Sequence, residues 1–426
     1  MTRAAAGLNP MDVAAILIVL ATVSAYINHR LFRMPFTVGL TVMGAAVSLL
    51  VLGLDRGFPQ LGLGQSVIGF VRGINFSTAL MNGMLSFLLF AGALHVDWAA
   101  MRRGRLAILL LSTGGTFAST ALIGLGFAGL TALAGIPVPL IWCLVFGALI
   151  SPTDPVSVMQ VLKRIDVPPT LEATVAGESL FNDGVGVVIF TILLAAAVNG
   201  VKFDLGQATL LFAVEAGGGA LLGLALGWVA IRAMRAIDAY NLEVLITLSL
   251  VMGGYAIAQP LHVSGPVAMA VAGLMIGNHG VTSAMSPATR DHVLNFWTLV
   301  DEILNAVLFL LIGLQVLIIP FDPRLILIGL ASIGLALVVR SLTVAAPLIA
   351  LRPLLSLGRL APLTLIWGGL RGGISVALAL GLPSGPFTPS ILAATYIVVL
   401  FTVVVQGGTI GALLKRASSK PTDAVP

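Results

Sequence analysis

Ser151-Pro152-Thr153-Asp154-Pro155 interrupts an otherwise apolar stretch long enough to cross a membrane, and it puts a charge inside the interruption. Its two prolines each remove a backbone donor, and Pro155 pushes Asp154 away from helical geometry. The spacing therefore predicts two half-helices joined by an extended segment. A second interruption lies far downstream in Gly368-Gly369-Leu370-Arg371-Gly372-Gly373, four glycines around an arginine. Each glycine weakens a helix by about 1 kcal/mol relative to alanine.

The surroundings of both interruptions are hydrocarbon. Charged residues make up 9% of the chain and hydrophobic residues 58%, whereas an average soluble domain is about 25% charged. With a mean hydropathy of +1.08, almost the whole chain belongs in lipid. Apolar stretches of spanning length recur about thirteen times, centred near Leu20, Gly44, Leu85, Leu122, Gly147, Asp183, Leu221, Leu248, Val271, Leu308, Ala336, Leu370 and Val403. The basic residues divide unevenly between the two sides this count creates. One side collects five (Arg3, Arg56, Arg72, Lys202, Arg324), and the other fifteen, among them Arg102, Arg103, Arg105, Lys163 and Arg164. Positive residues stay cytoplasmic, so the N-terminus is expected outside and the C-terminus in the cytoplasm. The net charge of +5 is then a topology signal and not a nucleic-acid footprint. Val23-Ser24-Ala25 resembles a signal-peptide cleavage site, but only one arginine precedes it, which argues against cleavage. Cys143 is the only cysteine, so no intrachain disulfide can form, and it is expected to pack as a small apolar residue.

If spans one to six and eight to thirteen form two six-helix units, both interruptions occupy the fifth position of their unit. Interrupted helices at matching places in two halves point to an inverted-repeat transporter with a midplane site. The plainer reading, that proline and glycine are simply commoner in membrane helices, leaves the charge in each break unexplained. The expected fold is an all-α polytopic membrane protein: two inverted six-helix repeats, with spans five and twelve broken and crossing. Such a crossing gathers two helix N-termini and two C-termini, each equivalent to about half a unit charge. Asp154 would offset the positive ends and Arg371 the negative ones.

Span six carries Gly177-Glu178-Ser179-Leu180-Phe181-Asn182-Asp183-Gly184. An ionisable group in hydrocarbon costs about 2.5–3.5 kcal/mol even on the lenient insertion scale, so its default reading is functional. A spacing of five rotates by about 140°, and Glu178 and Asp183 face different ways. Ser179 and Asp183 share a face, as do Glu178 and Asn182. Glu178 needs a partner elsewhere, and Arg340 is the intramembrane cation left once Arg371 serves the break. A hard monovalent cation takes several oxygens, and Asp183, Ser179 and freed carbonyls such as that of Thr153 are of the right kind. Burial disfavours a charged carboxyl, so Asp183 could hold either a proton or a cation. That competition exchanges the two across a membrane if the protein moves only when the charge is neutralised.

Together, Ser151 to Pro155, Gly177 to Gly184, Arg340 and Gly368 to Gly372 resemble the NhaP/NHE-type monovalent cation:proton antiporters. Phe296-Trp297 followed by Asn305 and Phe309-Leu310-Leu311-Ile312-Gly313-Leu314 is similar to a further signature of that family. The resemblance implies thirteen helices and a homodimer in the cell (inner) membrane. It also implies a core of residues 106–206 and 321–416, spans four to six and eleven to thirteen, sliding in an elevator-like movement. The rest, 1–105 and 207–320, would be the scaffold and dimerisation domain, and 417–426 a short cytoplasmic tail. By the same resemblance Asp183 is the ion- and proton-binding aspartate, with Asn182 its neighbour and Ser179 and Thr153 further Na⁺ ligands. Asp154 is a candidate to complete the shell. Glu178 with Arg340 would be a buried structural ion pair. Asparagine at 182 suggests electroneutral exchange of one Na⁺ or Li⁺ for one H⁺, with no cofactor, and K⁺/H⁺ exchange on the same architecture is the alternative. One departure concerns span three, where family members often carry an acid. Here the run is Leu89-Phe90-Ala91-Gly92-Ala93-Leu94.

Other polar residues give weaker leads. Asp301 and Glu302 could form an acidic funnel or simply a solvated helix face. Glu215 lies beside Gly217-Gly218-Gly219 without an evident partner. His262, His279 and His292 fall near helix ends, where histidines can sense pH but are usually just solvated. A cation channel would line a pore with repeated rings, whereas these polar groups converge on one locus. An intramembrane enzyme lacks its signatures: the chain has neither His-Glu-x-x-His nor a Gly-x-Ser-x-Gly nucleophile.

Overall fold

The computed structural model describes residues 10–58, 83–165, 167–200, 204–318, 322–350 and 357–418. In chain order its helices are α1 (Met11–Phe32), α2 (Phe36–Asp55), α3 (Leu85–Leu94), α4 (Trp98–Leu133), α5 (Leu140–Ile150), α6 (Val156–Leu162), α7 (Pro169–Asn199) and α8 (Gly206–Met234). There follow α9 (Tyr240–Ala258), α10 (Gly265–Met275), α11 (Pro287–Leu317), α12 (Pro323–Ala350), α13 (Ala361–Trp367), α14 (Gly373–Leu380) and α15 (Thr388–Ser418). Nine of these, among the described residues, are long and apolar enough to cross a membrane. The other expected centres fall on shorter helices: Leu85 on α3, Val271 on α10, Gly147 on α5, and Leu370 in the link between α13 and α14. Of the charges used for orientation, Arg3, Arg72, Lys202, Arg352 and Lys420 lie outside the described residues, as does the tail from 419.

The start of α4 differs from the loop that its basic residues suggest. Asp97 caps the helix by accepting from the backbone N–H groups of Ala99 (2.7 Å) and Ala100 (3.3 Å). Arg102, Arg103 and Arg105 thus sit on its first turns, and the line drawn at 105/106 falls inside one continuous helix. Capping outweighs the local polarity, because an aspartate at this position satisfies donors that would otherwise be orphaned.

Two groups of helices pack more densely within themselves than with each other. In the first, α4 lies against α5, α7 and α12, and α15 against α12 and α14. In the second, α2 packs on α11, and α10 on α3, α8 and α9. Lipid offers no hydrophobic drive between helices, so close approach rests on small residues and on interhelical hydrogen bonds. The Thr41 and Ser48 hydroxyls donate to the carbonyls of Phe309 and Leu314, both at 3.1 Å, and pin α2 to α11. Between α4 and α5 the device is Gly147, where an added Cβ would collide with the Thr120 carbonyl. Gly147→Val is therefore expected to cost about 1–3 kcal/mol. Gly334→Ala, on an α12 surface with nothing within 4 Å of the new methyl, should leave stability unchanged or raise it by up to about 1 kcal/mol. Thermal unfolding in detergent compares the two, and equal shifts would refute the close α4–α5 contact.

Candidate functional site

The two interruptions meet. Asp154 and Leu370 pair as an isolated antiparallel bridge, with the Asp154 N–H donating to the Leu370 carbonyl at 2.8 Å. Around this crossing three of the four half-helix ends are completed by side chains, and the fourth, the start of α14, lines the cavity described below. The Arg371 guanidinium, 2% exposed, donates through Nη1 to the carbonyls of Ser151 (2.5 Å) and Pro152 (3.1 Å), just past the C-terminus of α5. Asp154 Oδ1 accepts from the Val156 N–H at 2.9 Å, the first donor of α6. The C-terminus of α13 is served by Arg340, whose Nε and Nη2 donate to the Leu365 carbonyl at 3.0 and 2.7 Å. Gln406 Nε2 adds a bond to the Trp367 carbonyl at 3.1 Å. The glycines of the second break supply room more than flexibility. Gly368 and Gly372 have negative φ, but a Cβ on Gly372 would overlap the Asp154 side chain, and one on Gly369 would come within 2.5 Å of Arg340 Nε.

Helix α7 lies against this crossing and carries the remaining residues of interest. Asn182 is clamped to Thr153 twice: its Nδ2 donates to Thr153 Oγ1 at 2.7 Å, and its Oδ1 accepts from the Thr153 N–H at 3.3 Å. The Ser179 hydroxyl makes a short hydrogen bond to the Thr153 carbonyl. On another face Glu178, 2% exposed, forms a forked ion pair with Arg340, Oε1 to Nη1 at 2.5 Å and Oε2 to Nη2 at 3.0 Å. Asp183 is 7% exposed and accepts no hydrogen bond among the described residues. Its carboxylate opens instead onto a cavity of about 560 Å³.

That cavity is lined by the buried Thr153, Ser179 and Asp183 with the half-buried Asp154, and by the exposed His95, Asp97 and Lys163 with the half-buried Glu172. Asp301, Glu302 and Asn305 of α11 line it too, as do Leu89 and Gly92 of α3. Ala91, between those two, is fully buried in the packing of α3 against α8 to α11. Glu215 lies elsewhere, on α8, where its backbone carbonyl accepts from the Ser264 N–H at 3.0 Å and its charge interacts with His262. His262, His279 and His292 are exposed and away from the cavity, and His292 stacks on Tyr240. Cys143 is buried in the core of the first group.

The description "Sodium/hydrogen exchanger, transmembrane" belongs to the family model that matches residues 17–416. The Na⁺/H⁺ antiporter NhaP of Pseudomonas aeruginosa is 47% identical over 412 residues, covering 95% of this chain and 96% of that protein. The chain belongs to the sodium/hydrogen exchanger family, among its NhaP-type cation:proton antiporters. The Na⁺/H⁺ antiporter NhaH of Halobacillus dabanensis is 33% identical over 415 residues, with 96% and 98% of the two chains covered. In fold, the chain is similar to the sodium proton antiporter MjNhaP1 of Methanocaldococcus jannaschii, solved at pH 8. The TM-score is 0.73 at 21% identity, covering 96% of this chain and 99% of that one.

Within this sodium/hydrogen exchanger, sequence reasoning missed the polar residues that come from span thirteen. Thr402 and Gln406 lie four apart on a π-helical turn of α15. Thr402 Oγ1 accepts from the Arg371 N–H at 3.1 Å, and Gln406 serves α13 as described. The i,i+4 pair of polar side chains in an apolar helix was the available signal. Also missed was the double duty of Arg340, which holds Glu178 and caps α13 together. Glu178→Ala is expected to lower stability by about 3–5 kcal/mol by leaving Arg340 buried and unpaired. Arg340→Ala should cost still more, because it also uncovers the Leu365 carbonyl. Thermal unfolding in detergent reads both, and an unchanged midpoint for Glu178→Ala would show the ion pair to be inconsequential.

Proposed function

We propose that the protein exchanges Na⁺ (or Li⁺) for H⁺, one for one, and that both ions compete for Asp183. The observation that carries this reading is the Asp183 carboxylate, buried, without a hydrogen-bond partner among the described residues, and lining a cavity that also reaches exposed side chains. Cation binding would draw the Ser179 hydroxyl off the Thr153 carbonyl and turn both oxygens, with Asp183, towards Na⁺. Asn182 holds the Thr153 loop in place while this happens. Relatives named as Na⁺/H⁺ antiporters support the choice of ions.

The movement we infer is a sliding of one helix group past the other. The core comprises residues 106–206 and 321–416, and the scaffold comprises 1–105 and 207–320, a division whose first line falls within α4. The sparse contacts between the groups support this division. A hydrogen bond of 2.5 Å between Thr37 Oγ1 on α2 and Ser157 Oγ on α6 joins them and must part during the movement. By the positive-inside rule the cavity face, which carries Lys163 beside the start of α4, is cytoplasmic. The structure is then inward-open, with the N-terminus outside and the C-terminus inside. Large apolar side chains exposed on α8 and α9, including Leu221, Trp228, Leu245 and Met252, suit lipid or a second copy of the chain, and we infer a homodimer in the cell membrane.

Three measurements in proteoliposomes test the exchange. Asp183→Asn is expected to abolish Na⁺-driven proton movement while the protein stays folded, and normal exchange by that variant would reject the reading. In the unaltered protein, competition by one proton predicts that the KM for Na⁺ rises about tenfold for each unit the pH falls below the proton-binding range, because the group must release its proton before it takes Na⁺. A KM independent of pH would mean that the ions do not share a site. A membrane-potential dye that stays silent during exchange fits one-for-one stoichiometry.

A further inference from the structure

Asp183 ends the cavity, but α11 carries a second line of oxygens along its wall. Thr298, Asp301, Glu302 and Asn305 recur at the three- and four-residue spacing that keeps side chains on one helix face, and all four line the cavity. Thr298 and Glu302 are exposed, Asp301 is half-buried, and Asn305 is only 4% exposed, so the row leads inward from water. Asp301 lies within electrostatic reach of Asp154 as well as of Glu302 and Lys163.

A row of acids bordering water is commonly no more than a solvated face. Asn305 sets this one apart. Among the described residues its Nδ2 is shut off from solvent and makes no hydrogen bond of good geometry, and no donor takes up its Oδ1. The amide and the Asp301 carboxylate are nevertheless close enough to interact. A buried amide left unsatisfied marks a place where something else completes the bonding. The two ends of an amide interchange by a half-turn, so its oxygen is available on either side. An amide oxygen and a carboxylate one helical turn apart are hard donors of the kind an alkali cation takes, with water filling the remaining positions.

We propose that Asp301 and Asn305 form a second, transient binding station for the alkali cation, between the cavity mouth and Asp183. The proposal rests on the exchange reading given above. The station belongs to α11, which packs on α3, and Gly92 of α3 lines the same cavity. It thus supplies from span ten the scaffold-side carboxylate that span three, with Ala91 buried and Gly92 bare, does not. A cation held there loses part of its water before it reaches Asp183, and the station stays behind when the core moves. Its contribution is to loading and not to translocation.

The test uses the full-length protein in proteoliposomes, with Na⁺ varied and choline chloride holding ionic strength high. Choline screens a diffuse acidic field but does not enter a ligand site. Asp301→Asn and Asn305→Ala are each expected to raise the KM for Na⁺ about tenfold and to lower the maximal rate far less. The double variant should be no worse than either single one, because both remove the same station. An unchanged KM in Asp301→Asn overturns the proposal. So does a Glu302→Gln shift as large as that of Asp301→Asn, or a shift that disappears in choline, since either reduces the row to a diffuse funnel. Direct binding gives a second readout that does not need transport. In an Asp183→Asn background, Na⁺ should still raise the thermal unfolding midpoint, and adding Asp301→Asn should remove that effect. Stabilisation that persists without Asp301, or that is missing while Asp301 is present, overturns the station. The exchange reading fails separately, if Asp183→Asn alone still exchanges.

Discussion

A helix end inside hydrocarbon has no water to satisfy it, and α5, α6, α13 and α14 place four such ends at one crossing. Each unmet backbone group there would cost several kcal/mol, so three of the ends are completed by side chains and the start of α14 borders the cavity. Arg371, from the second break, takes the carbonyls of the first. Arg340 of α12 and Gln406 of α15 take those of α13, and Asp154 takes a donor of α6. The glycines at 369 and 372 leave the space these side chains occupy. Removing one partner therefore exposes backbone belonging to a different helix, and the crossing behaves as one unit.

The same bonds place α7. Arg340 holds Glu178 while it caps α13, so the face of α7 that carries Glu178 is fixed to the second break. Asn182 and Ser179 fix the next face to Thr153 in the first. Of the polar side chains between residues 178 and 183, Asp183 alone is left without a protein partner. Its freedom follows from the commitment of its neighbours, and it lines the cavity beside Ser179, with which it shares a face.

Much of this was legible in the sequence because membrane insertion writes strong signals. Every expected span centre coincides with a helix or with the link of a broken one, since a long apolar run has few alternatives to helix in lipid. Glu178 faces Arg340, while Ser179 and Asp183, four residues apart, both line the cavity. What stayed hidden depends on which atoms meet across long separations. The glycines of the second break read as helix breakers, whereas their φ values are ordinary and their small size is what matters. Arg102, Arg103 and Arg105 read as a loop because charge was weighed more heavily than the Asp97 cap. Asn305 was noticed only as part of a signature, and nothing in its neighbours along the chain reveals that it is buried without a partner.

On the exchange proposed above, charge balance is what would let one free carboxylate gate the movement. With each group ionised, Asp154 and Glu178 are offset by Arg340 and Arg371, all four in or beside the crossing. Asp183 is then the uncompensated charge of that assembly, and one H⁺ or one Na⁺ brings the sum to zero. Carrying a bare charge through hydrocarbon costs at least about 2.5–3.5 kcal/mol, which in the proposed movement would suppress the empty, ionised core roughly a hundredfold relative to a loaded one. On that proposal a second aspartate at position 182 would leave the core charged after one ion had bound, whereas the asparagine there clamps Thr153. Asp301 stands outside the sum, because α11 packs with the helices that we take to remain still. An acid on that wall can gather cations without adding to the charge that must cross.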